Sequence, residues 1–119
     1  MKKVTKGMKI TESDIQRQIK EYLQWHGWFV VKIHQSLGSY KGIADLYALK
    51  DGQHVWIEVK TQRGRLSEHQ EKFRRDVIDH GGTYMVARSV DDVMPLCQRQ
   101  RTLQRTLAGA GFVGQELWD

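Results

Sequence analysis

Apolar positions early in the chain recur at helical spacing: Ile15, Ile19, Tyr22 and Leu23 repeat as far as about Trp25. Thr11, followed three residues later by Asp14, supplies a cap for the start of this helix, and Gly27 ends it. The period then shortens. Trp28–Ile33 is rich in aromatic and β-branched residues and predicts a strand, and Gln35–Gly42 is a polar loop containing glycine. Two more strands are expected at about Ile43–Leu49 and His54–Lys60, joined by the turn Lys50-Asp51-Gly52-Gln53. Ser67-Glu68-His69-Gln70 is a capping box that opens a helix with apolar positions Phe73, Val77 and Ile78, and Gly81-Gly82 stops it. Thr83–Ala87 predicts another strand. Ser89 begins a last helical region with Pro95 in its first turns, continued by Leu96, Leu103 and Leu107 and decorated by Arg99, Arg101 and Arg105. The order α-β-β-β-α-β-α predicts an α/β fold, a central mixed β-sheet flanked by helices.

Composition narrows this picture. A chain of 119 residues has room for a single core. Residues 1–10 are basic and aperiodic, an expected flexible arm; 11–108 form the expected domain, and 109–119 a glycine-rich tail ending in Leu117-Trp118. Apolar runs are only a few residues long, so neither a transmembrane segment nor a secretory leader is expected. The lone Cys97 excludes an internal disulfide and a cysteine-rich zinc site, and fits a reducing cytoplasm. A net charge of +5 favours a polyanionic partner. The placement of charge says more than its sum: Arg63-Gly64-Arg65 directly follows one predicted strand and Lys41-Gly42 precedes another.

Those two strands carry the candidate chemistry. Gly42-Ile43-Ala44-Asp45-Leu46 and Trp56-Ile57-Glu58-Val59-Lys60 place two acids and a lysine in the pattern D-x12-E-x-K within otherwise apolar sequence. Alternation puts Glu58 and Lys60 on one face of their strand, with Trp56. Such groups are costly to bury unless a metal or each other's charge compensates. Two carboxylates and an ammonium suit a hard divalent cation, magnesium or manganese, and the phosphate oxygens it activates. Asp45 and Glu58 are the expected metal ligands, to which Val59 could add its backbone carbonyl. Lys60 would orient or deprotonate the attacking water, or stabilise the pentavalent phosphate. Asp45 as a turn cap, and Glu58 and Lys60 as an exposed strand face, are the plainer alternatives.

Glu12 precedes Ile15 by three residues and Ile19 by seven, which turns it toward the apolar face of the first helix. A first-turn acid complementing the helix dipole explains it equally well. Gln70 stands in the same relation to Phe73 and Val77, although its capping role already accounts for it locally. Both join the expected site, Glu12 also as a metal ligand. The basic loops bordering the site make Lys41, Arg63 and Arg65 expected contacts for a phosphate backbone, with Ser36 of the polar loop. The five histidines show no metal-ligand spacing, Ser36 has no adjacent base or oxyanion motif, and no phosphate-binding or dinucleotide-binding glycine loop is present.

In order, the segments TESDIQRQIKEYL, KGIADLYAL, VWIEVK, GRLSEHQEKF and GGTYMVARSVDDV resemble the VRR-NUC domain, the virus-type replication-repair nuclease branch of the PD-(D/E)XK phosphodiesterases. The resemblance runs from about Thr11 to Val93. It implies a restriction-endonuclease-like core in which Asp45 and Glu58 bind metal, Lys60 is the catalytic lysine, and Glu12 and Gln70 line the same site. Ala44 departs from the family, which commonly has proline before the aspartate. Stand-alone members of this size are similar in architecture to Holliday-junction resolvases and are expected to be homodimers.

The sequence therefore predicts a metal-dependent nuclease that hydrolyses DNA phosphodiester bonds, a structure-selective endonuclease on branched or nicked DNA. The alternatives are a catalytically silent nucleic-acid-binding module and a nuclease subunit active only within a larger complex. Paired carboxylates, which repel phosphate, argue against the silent module. The expected dimer surface is the region from about Ser89, where Leu96, Leu103, Leu107, Phe112 and Trp118 supply apolar side chains; packing of that stripe on the monomer's own sheet is the alternative.

Overall fold

A computed structural model of the chain describes residues 9–36 and 38–98. Residues 1–8 of the expected arm lie outside them, as do residues 99–119 with Arg99, Arg101, Leu103, Arg105, Leu107, Phe112 and Trp118. Helix α1 spans Glu12–Trp25 and begins on a reciprocal cap: the Thr11 hydroxyl accepts from the Asp14 N–H, and the Asp14 carboxylate accepts from the Thr11 N–H. Its Ile15, Ile19 and Leu23 fall on one stripe and are buried. Gly27, at φ +87°, then turns the chain into strand β1, Phe29–Lys32.

Strands β2 (Leu46–Lys50) and β3 (Gln53–Val59) form a hairpin. Asp51 and Gly52 between them both have positive φ, 51° and 81°, the conformation whose twist matches that of the flanking strands. Helix α2 (Glu68–Asp79) crosses to β4 (Tyr84–Ala87), and a short 3-10 turn, Val90–Asp92, precedes helical residues 94–98, with Pro95 in the first turn. The sheet order is β1-β2-β3-β4, antiparallel except for the parallel β3–β4 pair. This is the α/β arrangement, with a mixed sheet, that the periodicity predicts.

The period of two along β3 divides its side chains between two layers. Val55, Ile57 and Val59 join Leu46, Ala48, Val30 and Ala87 in a core closed by the α1 stripe and by Val93, Leu96 and Cys97. On the opposite face, Trp56 packs on Tyr47 and, edge-on, on Phe73 of α2, which also contacts Tyr84. No helix among the described residues is long and apolar enough to cross a membrane.

Three expectations change. Strand β2 begins at Leu46 rather than near Ile43, because the preceding backbone is already committed: the Ile43 N–H bonds the Tyr40 carbonyl, and the Gln35 amide bonds the Ile43 carbonyl. Ile78 is exposed, since five residues beyond Phe73 it lies about 140° around the helix. Leu96, expected on a dimer surface, is buried in the monomer's own core.

One close approach ties the loop before β2 to α2. Gly42 has φ +80°, and a Cβ there would overlap the His69 carbonyl and come within 2.8 Å of the Gln70 nitrogen. Gly42→Ala therefore combines left-handed backbone strain with a backbone clash. It should lower the unfolding free energy by about 2 kcal/mol or more in urea titration, whereas Gly52→Ala, at a turn with open space around it, should cost less.

Candidate active site

Strand register builds the centre of the site. Leu46 pairs with Ile57, so one step further along the ladder Asp45 stands opposite Glu58. Asp45 is the residue before β2, not one inside it, but two backbone bonds hold it in line. Its carbonyl accepts from the Ile33 N–H at 2.8 Å, and its carboxylate Oδ2 accepts from the Val59 N–H at 2.8 Å.

Glu58 is only 2% exposed and is the one buried charged residue among those described. Its Oε2 accepts from Gln70 Nε2 at 3.1 Å and lies 3.8 Å from Lys60 Nζ. Its Oε1 is buried without a hydrogen-bond partner. Burial first, then the facing Asp45 carboxylate, push the Glu58 pKa up to about 8; Lys60 opposes this and Glu12 adds a smaller push upward. Gln70 performs two tasks at once. Its Oε1 accepts from the Ser67 N–H to cap α2, while its amide nitrogen reaches Glu58.

Asp45, Glu58, Lys60 and Gln70 are thus brought together, with Glu12 within electrostatic reach at the start of α1. Among the described residues, no three His, Cys, Asp or Glu side chains gather into a cluster able to hold a metal ion, so Glu12 does not complete a three-acid cage with Asp45 and Glu58. What the site offers a cation is an opposed carboxylate pair and an unsatisfied buried oxygen. That pair resists a second negative charge, which is the condition a hard divalent cation relieves. Lys41, Ser36, Arg63 and Arg65 are exposed. Ser36 contributes its backbone to a turn, its N–H donating to Ser39 Oγ.

Two participants escaped the sequence reading. The Tyr84 hydroxyl is buried without a partner, and burial together with the charges of Glu58 and Asp45 raises its pKa. A tyrosine at the start of a short apolar strand gives no signal of this. Arg88 donates to the carbonyls of Thr61 and Gly64 beyond Lys60. It sits in the segment VARSVDDV, and nothing in that segment indicates which loop its guanidinium reaches.

The profile of the family described as archaeal Holliday junction resolvase (Hjc) matches residues 7–96. A solved structure described as a VRR_NUC domain is similar at 26% identity with a TM-score of 0.64, covering 73% of this chain and 94% of that one. No curated protein matches the chain. The fold and the order of motifs are those of a VRR-NUC-type domain with a restriction-endonuclease-like core.

The Glu58 shift makes stability depend on pH with a definite sign. Between about 4.5 and about 8 the folded protein keeps this proton and the unfolded chain has lost it. Stability therefore falls as pH rises through that window and is flat beyond it, as far as this group is concerned. In EDTA, Glu58→Gln should remove this dependence and be more stable than the parent near pH 8 but not near pH 4.5. Thermal melts of both proteins across the range check it; parallel curves would refute the shift.

Proposed function

Because the chain belongs to the archaeal Holliday junction resolvase family, we propose that it is a nuclease that hydrolyses phosphodiester bonds in branched or nicked DNA, with magnesium or manganese as cofactor. The observation that carries this reading is the Asp45–Glu58 pair, set opposite each other by strand register with Lys60 and Gln70 on Glu58. Asp45, Glu58 and the Val59 carbonyl would hold the cation, which when bound polarises the phosphodiester and lowers the pKa of a coordinated water.

The remaining roles belong to the chain's own groups. Gln70 fixes the Glu58 rotamer by donating to Oε2 and leaves Oε1, which has no hydrogen-bond partner, to ligate the cation. Lys60, its side chain 12% exposed, presents an ammonium beside that carboxylate. There it orients the attacking water and offsets the charge that develops on the phosphate, an interaction strongest in the transition state. Glu12 adds negative charge from α1. Lys41, Arg63, Arg65 and Ser36 contact backbone phosphates. The chain works in the cytoplasm as a homodimer, because a branched substrate offers two symmetric strands and each domain carries one site. With Leu96 in the core, the expected dimer surface from about Ser89 onward would rest on Leu103, Leu107, Phe112 and Trp118, which lie outside the described residues.

The purified protein should cut junction, flap or nicked DNA in Mg²⁺ or Mn²⁺ and should lose that activity in EDTA. Calcium should support binding with little cleavage, because its longer, looser shell positions the water poorly. Cleavage undiminished by EDTA would sink the metal-dependent mechanism.

Lys60→Ala should abolish cleavage while leaving DNA affinity nearly intact. Arg63→Ala and Arg65→Ala should weaken binding and each reduce the salt slope by about one. Parental cleavage by Lys60→Ala would return Lys60 to a purely structural role. In light scattering the protein should exceed the 13.9 kDa of one chain; a mass near that value, with and without junction DNA, would refute the dimer.

A further inference from the structure

Arg88 leaves the end of β4 beside the residue that β3 delivers to the site, since the Lys60 N–H donates to the Ala87 carbonyl at 3.1 Å. The Arg88 side chain is spent on backbone. Its Nη1 donates to the carbonyls of Thr61 at 2.6 Å, Gly64 at 2.8 Å and Gln62 at 3.3 Å. Its own N–H is held by Asp92 Oδ2 at 2.8 Å. Residues 61–64 form a turn, closed by a bond from the Gly64 N–H to the Thr61 carbonyl. Three carbonyl dipoles aimed at one place repel one another, and a guanidinium between them offsets that repulsion with charge-assisted bonds.

The clamped turn lies against the stem of Lys60. A Cβ placed on Gly64 would sit 3.3 Å from both Cβ and Cδ of Lys60, so a side chain there would have to push the turn or the lysine stem away by a few tenths of an ångström. A lysine stem has several rotatable bonds, and an unconfined ammonium samples far more space than the site occupies. Here the stem is covered and Nζ stays beside Glu58.

We propose that Arg88 is a positioning residue for Lys60: by drawing the 61–64 turn onto the lysine stem, it holds the ammonium beside Glu58. The same clamp fixes the base of the loop that carries Arg63 and Arg65. The catalytic meaning of this contact rests on the nuclease reading above; the contact itself is measurable without cleavage.

The test is reductive methylation of the full chain with formaldehyde and cyanoborohydride, followed by peptide mass mapping, alongside cleavage at saturating DNA. In the parent, Lys60 should react slowly relative to Lys32, whose side chain is exposed at the end of β1. Arg88→Met keeps the bulk and removes the donors. It should speed Lys60 labelling about tenfold relative to Lys32 and slow the cleavage step about tenfold or more, as a misplaced catalytic group does. Arg88→Lys, which retains a cationic donor, should recover part of both. Gly64→Val keeps the arginine but pushes the turn that it clamps off Lys60, and should deprotect Lys60 in the same way, which keeps the test decisive if Arg88→Met does not fold. Unchanged protection of Lys60 in a folded Arg88→Met or Gly64→Val protein would overturn the positioning role. Loss of protection in the variants of a protein that cuts no DNA would instead strike the nuclease reading and leave the placement of Lys60 standing.

Discussion

A carboxylate held inside a β-sheet, directly opposite a second carboxylate, is the constraint on which the rest of this structure depends. Glu58 is nearly inaccessible and faces Asp45 across the β2–β3 register. The arrangement is tolerated because burial and the facing Asp45 favour the protonated form of Glu58 and because its Oε2 has Gln70 and Lys60 as neighbours. A buried charge without such partners would cost several kcal/mol. The site is therefore built around an electrostatic tension that a divalent cation would relieve, and the sheet supplies the rigidity that keeps the two acids from moving apart.

Ordinary devices of local structure place the chemistry. The capping box of α2 is a common local motif, yet its glutamine has an amide nitrogen left over, and that nitrogen reaches Glu58. The left-handed Gly42 lets the loop before Asp45 touch the first turn of α2, which fixes one acid and the residue that orients the other in a single contact. Asp45 gains its position from the Val59 N–H, so the strand that carries Glu58 also holds the opposing carboxylate. Stability and site geometry share the same bonds here. A substitution in this region disturbs both.

The helices, strands and centre of the site were legible in the sequence because each leaves a short-range mark. The stripe Ile15, Ile19, Leu23 has the period of a helix, and the two capping boxes announced the starts of α1 and α2. Asp51-Gly52 marked the hairpin. Asp45, Glu58 and Lys60 stood out because charges in apolar strands are expensive, and the inward direction of Glu12 and Gln70 followed from helical spacing. Where the reading erred, a longer-range effect intervened. Side-chain and turn bonds from Gln35 and Tyr40 delayed the start of β2, and the core took Leu96 for itself.

The sequence by itself determined the element order, the mixed α/β character, and which charged residues would be costly to bury, because period, caps and the cost of burying charge are local properties. Only the tertiary structure decided that Asp45 lies opposite Glu58 in register, that Gln70 bridges from α2 to that acid, and that Arg88 gathers the carbonyls beyond Lys60. Each of those is a contact between segments twelve or more residues apart. Which carbonyl an arginine meets, or which strand an aspartate faces, is set by how the elements pack, and no period along the chain encodes it.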